Sequence, residues 1–330
     1  MVADPVEPLN LNLAAGHSCC RGKLLEATME QIGFIGIGAM GRPMASNIAK
    51  AGYPLTVNDV VADATKPVVE LGATAAGSVA EVAEASDIIF TMLPNSPEVE
   101  EVVLGPGGIA ENGREGMIVV DTSTIYPEST DKVAAGLAEK GMGFVDAGVG
   151  RQQVHAERGE LMFMVGATDE GMARVRPLLE IMGNAIVHIG LPGQGIRMKL
   201  INNLLAAFTS EASAEAVAFA LKLGLPFDKV YEVLTGTAAR TGHLLITWPD
   251  KILKGDDTPG FSIALQNKDL NLALQLAESV GAPLDIGDAM KDAFASMMER
   301  GYGDKDFSAT FAAACEAAGV PLPPPGAEKG

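Results

Sequence analysis

The chain alternates between short apolar runs and stretches whose apolar residues recur every three or four positions. Runs of strand length lie at Ile32–Ile35, Leu55–Val57, Ile88–Met92, Met117–Asp121 and Gly143–Asp146. Between them, Met40, Met44 and Ile48 mark one helical face that closes at Gly52, and further helices are predicted over 62–71, 97–103 and 127–140. Such alternation predicts a parallel sheet with helices on both faces. Leu161–Val165 and Ala185–His188 are the last strand-like runs. From Gly193 onward only helical spacing remains, and 196–223 contains neither Pro nor Gly. That stretch predicts one long helix, too apolar to stand in water and therefore the spine of a second, all-helical domain. The predicted divisions are an extension at 1–28, an α/β domain at 29–192, a helical domain at 193–319 and a proline-rich tail at 320–330. The extension and the tail are expected to be disordered.

Bulk composition adds constraints. The 330 residues are 48% hydrophobic and 20% charged, a globular balance for two domains. The formal net charge of -18 excludes a nucleic-acid footprint and an attraction to anionic membranes. It also requires that any anionic ligand find a local cation, which directs attention to each Arg and Lys near a glycine turn. Cys19, Cys20 and Cys315 form neither a disulfide framework nor a zinc pattern. They read as reduced thiols, and no metal site is expected. Residues 1–28 carry Asp4 and Glu7 early and lack the basic-then-apolar order of a secretory signal, and no apolar run reaches membrane-spanning length. A cytoplasmic protein is expected, with Met29 as an alternative start.

The first chemical motif is Gly36-Ile37-Gly38-Ala39-Met40-Gly41, between a predicted strand and a predicted helix. In this context G-x-G-x-x-G is a dinucleotide-binding turn. The first glycine makes the bend, the second admits the pyrophosphate and the third lets helix and strand pack. The helix N-terminus supplies unpaired N–H groups to the pyrophosphate. Asp59 ends the second strand about 20 residues beyond Gly38, where a carboxylate accepts from the adenosine ribose hydroxyls. The first cation after it is Lys66, so NAD is expected rather than NADP.

The second motif opens the long helix: Gly195-Ile196-Arg197-Met198-Lys199-Leu200-Ile201-Asn202-Asn203. Lys199 and Asn203 share a helical face. A lysine followed one turn later by an amide suits a proton donor and its orienting partner. Taken with GFIGIGAMGRPMASNIAKAG and VDAGVG…GELMFMVGA, the chain resembles the β-hydroxyacid dehydrogenases, the group of 3-hydroxyisobutyrate dehydrogenase, from Met29 to about Gly319. The resemblance implies an α/β Rossmann domain joined to an all-α domain by a long interdomain helix, in a homodimer or homotetramer. It also implies Lys199 as the catalytic lysine with Asn203 assisting. Lys268, Met92, Leu93, Pro94 and the Thr122-Ser123-Thr124 turn would stand on the nicotinamide side.

One segment departs from the family pattern. Where most members have D-A-P-V-S-G-G, this chain has Asp146-Ala147-Gly148-Val149-Gly150-Arg151-Gln152. Gly150 replaces the serine that holds a carboxylate, and Arg151 replaces a glycine. An arginine there offers a planar fork to an oxyanion. V-G-R, the 195–203 segment, TGTAARTGH at 235–243 and Trp248-Pro249 resemble the 3-sulfolactaldehyde reductase branch. That likeness implies a sulfonate held by Arg151, Gln152 and Asn202 or Asn203, with His243 in the same pocket. Gln152 differs from the branch's usual hydroxyl residue. His155 and His188 read as structural. The expected reaction is NADH-dependent reduction of a small anionic aldehyde, with 3-sulfolactaldehyde ahead of carboxylate semialdehydes such as tartronate or succinic semialdehyde. A non-catalytic NAD-binding protein and an imine reductase share the architecture, and Lys199 argues against both.

Overall fold

Odd and even residues of the first strands face opposite ways, and both faces are buried. In the computed structural model, which describes residues 29–222, 224–236, 247–279 and 285–325, Ile32 and Phe34 join one core while Ile35 joins the other. Ile88 and Phe90 against Ile89 repeat the division, as do Ile118 and Val120 against Val119. A sheet buried on both sides requires continuous apolar strands, as the sequence shows. The strands are β1 Ile32–Ile35, β2 Leu55–Asn58, β3 Thr74–Ala75, β4 Ile88–Thr91, β5 Ile118–Asp121, β6 Gly143–Gly150, β7 Leu161–Gly166 and β8 Gly183–Gly190. Their order is β3-β2-β1-β4-β5-β6-β7-β8. The chain leaves β1 toward β2 and β3 and then returns to β4 on the other side of β1. That reversal opens a crevice at the C-terminal ends of β1 and β4, where open α/β sheets bind ligands.

Several expectations need correction. The sheet is not wholly parallel, because β7 runs antiparallel to β6. Their connection carries only the short helix Gln153–Glu157, too little chain for a parallel crossover. The strand expected at Gly143–Asp146 continues to Gly150, so Gly148 and Gly150 lie in β6 rather than in a loop. The two-residue β3, exposed throughout, carries no apolar signal and was not anticipated. The helix expected over 62–71 is a 3₁₀ turn, Ala62–Thr65, followed by Lys66–Val69. The helices Val79–Ala85 and Asp169–Met182 were also unforeseen.

The long helix runs from Gln194 to Lys222, 29 residues. It serves as a spine because its small residues enter two separate cores. Ala207 packs with Leu270, Phe294 and Phe307. One end further on, Ala214 and Val217 pack with Trp248 and Phe311, whose rings stack with centroids 4.3 Å apart. Of the tail, 320–325 are described: Val320 N–H donates to Cys315 O at 2.9 Å and Pro323 is buried. The N-terminal extension 1–28 and residues 326–330 lie outside the described residues, as does His243.

Packing at the first crevice strand leaves no room at Gly41, where a Cβ would fall 1.8 Å from the Gly36 carbonyl oxygen. Gly41→Ala is expected to destabilise the protein by about 1–3 kcal/mol, the usual range for overpacking. Urea unfolding at neutral pH measures it, and an unchanged midpoint would contradict this packing.

Candidate active site

At the crevice, the turn between β1 and the helix Gly41–Lys50 places its glycines as the motif requires. Gly36 has φ +95° and backs onto β4, so that a side chain there would meet Met92 O at 2.3 Å. Gly38 and Ala39 are exposed, and a Cβ on Gly38 would point into open space. The loop thus closes against protein on one side and leaves a backbone surface free on the other. Met40 is partly buried against the core. The Asp59 carboxylate stands at the rim, accepting from Ile37 N–H at 2.7 Å and Val61 N–H at 2.8 Å. Beside it lies a cleft of about 400 Å³ lined by Asp59, Val60, Ala76 and Ser78. A free glycine backbone, a carboxylate and an adjoining cleft fit a pyrophosphate, a ribose and a base in that order.

Across the crevice, the ends of β4 and β5 are tied together. Thr91 Oγ1 donates to Asp121 at 2.8 Å, and Leu93 N–H donates to Ser123 Oγ at 2.9 Å. Burial pushes the Asp121 carboxyl up from its ordinary range. Lys268, on the helix Ile263–Ser279, reaches over to donate to Thr124 O at 3.1 Å and Pro94 O at 3.4 Å. The helical part of the chain therefore touches the Met92-Leu93-Pro94 and Thr124 turns directly.

Lys199 lies behind this bridge, only 9% exposed. The long helix carries it against β6, where a Cβ on Gly148 would fall 2.7 Å from Lys199 Cβ. Its Nζ donates to Asn203 Oδ1 at 2.9 Å, one turn on. Asn203 is 6% exposed and donates through Nδ2 to Asp269, which is 2% exposed and pairs with Lys268 at 3.2 Å. Gln266 Nε2 donates to Asn203 O at 3.3 Å, and Asn202 Nδ2 donates to Asn203 Oδ1 at 3.1 Å. Burial holds the Lys199 pKa below the ordinary lysine value. The Asp269 charge raises it in part, and Lys268 lowers it again. An ammonium whose proton has been made easier to lose, with an amide fixing its direction, suits a proton donor.

The segment beyond β6 is arranged differently. Arg151 follows Gly150 directly and has φ +76°, the one positive φ at a non-glycine among the described residues. Its Nη1 donates to Glu160 O and, at 2.6 Å, to Asn184 Oδ1. In this conformation the guanidinium lies across the starts of β7 and β8. Gln152 caps the helix Gln153–Glu157, with its N–H donating to His155 Nδ1 at 3.4 Å. A Cβ on Gly260 would be 3.6 Å from Gln152 Oε1, so this side chain faces the loop before the helix Ile263–Ser279. His188 Nε2 contacts Ala167 O at 2.9 Å and Gly190 O at 3.0 Å. His155 and His188 are thus engaged in local backbone geometry.

Three residues at this site were not singled out from the sequence. Asp269 was visible only as the neighbour of Lys268, and Gln266 gave no signal. Asp146 stood at the head of the departing segment without a role. Its carboxylate is buried and accepts from Gly193 N–H at 2.5 Å and Ile196 N–H at 2.6 Å, at the first turn of the long helix.

A glycine-turn crevice for a dinucleotide, facing a buried lysine with an orienting amide, defines a nicotinamide-dependent oxidoreductase. Comparison with known proteins narrows the class. Residues 31–190 match the NAD binding domain of 6-phosphogluconate dehydrogenase, and residues 193–314 match the family described as NAD-binding of NADP-dependent 3-hydroxyisobutyrate dehydrogenase. The chain is 41% identical over 281 residues to 3-sulfolactaldehyde reductase of Escherichia coli, covering 85% of this chain and 94% of that one. It is 38% identical over 279 residues to 2-(hydroxymethyl)glutarate dehydrogenase of Eubacterium barkeri, covering 84% and 93%. Its structure is similar to that of 3-hydroxyisobutyrate dehydrogenase from Mycobacterium tuberculosis with L-serine, with a TM-score of 0.80, 32% identity and coverage of 86% and 99%. The chain belongs to the 3-hydroxyisobutyrate dehydrogenase family, dehydrogenases and reductases with NAD-binding domains that act on CH–OH groups.

Removing the carboxylate at the crevice rim tests the cofactor side. Asp59→Ser is expected to shift the NADH-to-NADPH preference toward NADPH by about tenfold, the loss of a charge-assisted hydrogen bond and of one repulsion. Steady-state kinetics with both cofactors read the ratio, and an unchanged ratio would remove Asp59 from cofactor selection.

Proposed function

We propose that this chain reduces a small anionic aldehyde with NADH, with 3-sulfolactaldehyde the substrate and 2,3-dihydroxypropane-1-sulfonate the product. The observation that carries the chemistry is the buried Lys199 hydrogen-bonded to Asn203. NADH held at the crevice would supply hydride to the carbonyl carbon. Lys199, as ammonium, stabilises the negative charge growing on the carbonyl oxygen and gives that oxygen its proton. Asn203 holds Nζ in line, and Asp269 holds Asn203. Gly36, Gly38, Ala39, Met40, Gly41 and Asp59 hold the adenosine and pyrophosphate. Met92, Leu93, Pro94, Thr124 and Lys268 border the nicotinamide end.

The sulfonate reading is supported by Arg151 next to Gly150, where most family members have glycine and serine, and by the similarity to the E. coli reductase. Arg151, Gln152, Asn202 and His243 are assigned to the anionic group. A carboxylate semialdehyde is the second reading. It is favoured by Gln152, which departs from the sulfonate branch, and by the present engagement of the Arg151 guanidinium with Glu160 and Asn184. The protein is further proposed to act in the cytoplasm as a homodimer or homotetramer. Ile201 and Leu205, one turn apart on the long helix and both exposed, support a subunit contact there.

Three measurements test these assignments. Lys199→Ala is expected to lower kcat by about 10²–10⁴-fold, the usual contribution of general acid catalysis, while NADH affinity by fluorescence titration stays unchanged. Retention of most of kcat would end the mechanism. Turnover of 3-sulfolactaldehyde should exceed that of tartronate and succinic semialdehydes, and Arg151→Ala should raise the KM for the sulfonate by about tenfold or more. Faster turnover of either carboxylate by a wide margin would reverse the substrate assignment. In the reductive direction the ammonium is the active form, so kcat falls as pH rises through the lowered Lys199 pKa. Asp269→Asn removes the charge that holds this pKa up and should move the alkaline limb to lower pH. A limb that stays in place would detach Asp269 from Lys199.

A further inference from the structure

The strand that receives Lys199 also anchors the start of its helix. On β6, Asp146 presents both carboxylate oxygens to the first turn of the long helix, at Gly193 N–H and Ile196 N–H. Two residues further along the same strand, Gly148 receives the stem of Lys199. The backbones are pressed together between these points, for a Cβ on Gly195 would fall 2.4 Å from Met164 O and 2.6 Å from Asp146 O. The helix is thus held to β6 at two successive turns. One attachment is apolar contact and the other is a buried carboxylate. The helix also packs on β7 and β8 and enters the helical cores at Ala207 and Ala214, and the Asp146 bonds add directional polar contacts at its first turn.

We infer that Asp146 is a positioning residue for the proton transfer, fixing the rotation and height of the long helix so that Lys199 Nζ meets the carbonyl oxygen. The inference rests on the reading of Lys199 as proton donor. An ionised carboxylate suits the task, since it accepts from two N–H groups at once and complements the helix N-terminus. Protonation removes one of its acceptor sites and the charge that strengthens the other. Burial lifts the Asp146 carboxyl to about 6, against the two N–H bonds that lower it, and Asp121 on β5 lifts it a little further. The charged groups facing it are Asp121 on β5 and Arg197 on the long helix, the latter paired with Asp131 at 2.7 Å. For reduction, protonated Lys199 is the active form at every acidic pH, so Lys199 produces no acid limb. Asp146 does.

The test compares the full-length protein with Asp146→Asn and, in parallel, Lys199→Ala. Wild-type kcat in the reductive direction is expected to fall below about pH 6, with the KM for NADH flat. Asp146→Asn is expected to lose kcat by about tenfold or more at pH 7.5, to keep the NADH KM within twofold, and to lose the acid limb. Hydrogen exchange at Gly193 and Ile196, corrected for intrinsic chemistry, gives a readout independent of turnover. Protection in the wild type should drop below pH 6 and should be low and pH-independent in Asp146→Asn. Persistence of the acid limb in the variant would assign it to Asp121 and overturn the inference, as would unchanged kcat or pH-independent wild-type protection. If Lys199→Ala retains activity while the exchange result stands, the proton-donor reading fails and Asp146 is left with the helix alone. If Asp146→Asn does not fold, the wild-type exchange profile still decides.

Discussion

A lysine ammonium carried out of water is the constraint on which the rest of this structure depends. Burial disfavours the charged form. Asn203 accepts from the Lys199 Nζ, and Asp269 stands one hydrogen bond beyond. Asp269 in turn lies beside Lys268, whose own ammonium is spent on carbonyls at the far wall of the crevice. The chain of contacts therefore alternates cation, amide, anion and cation. The Asp269 charge offsets part of what burial takes from the Lys199 proton affinity. A proton donor needs this intermediate condition, because a lysine at its ordinary pKa holds its proton too firmly and a fully uncompensated one would never carry it.

The parts of this site that were legible in the sequence are those set by a local pattern or by a fixed spacing between elements. The glycine turn Gly36–Gly41 and the Lys199–Asn203 pair are local patterns, and the carboxylate at Asp59 follows a fixed strand-to-strand spacing. Asp269 was hidden because its partner Asn203 lies on another helix, and no periodicity links them. The run Gly148-Val149-Gly150 misled for a different reason. It follows the expected end of the strand at Asp146, and glycines are poor strand formers. They remain extended because tertiary contact overrides that preference: at Gly148 the space a side chain would fill is taken by Lys199. The antiparallel return of β7 was equally illegible, since the apolar run that forms it reads the same in either direction.

The acidity of the chain sharpens the question of how it attracts an anion. With a formal net charge of -18, the long-range field repels the substrate and cofactor it is proposed to bind. Attraction must come from short-range groups in low dielectric. At the cofactor turn these are backbone N–H groups, which carry no net charge. For the proposed proton transfer there is the buried Lys199, and Lys268 bridges to the Pro94 and Thr124 carbonyls. Beyond β6 there is Arg151, whose guanidinium retains donors not engaged by Glu160 and Asn184. Recognition and proton transfer are consequently assigned to different elements, the first past the end of a strand and the second inside a clamped helix.

The backbone of Arg151 carries a further consequence. A left-handed conformation at a residue with a side chain costs about 1–2 kcal/mol relative to glycine. A lineage selected for heat resistance alone would gain by drifting to glycine at this position, and would erase the arginine in doing so. Persistence of a strained arginine across such a pressure would itself be a record of what the enzyme must hold. If Arg151 holds the substrate anion as proposed, substrate identity and thermal endurance are set against each other at a single peptide unit.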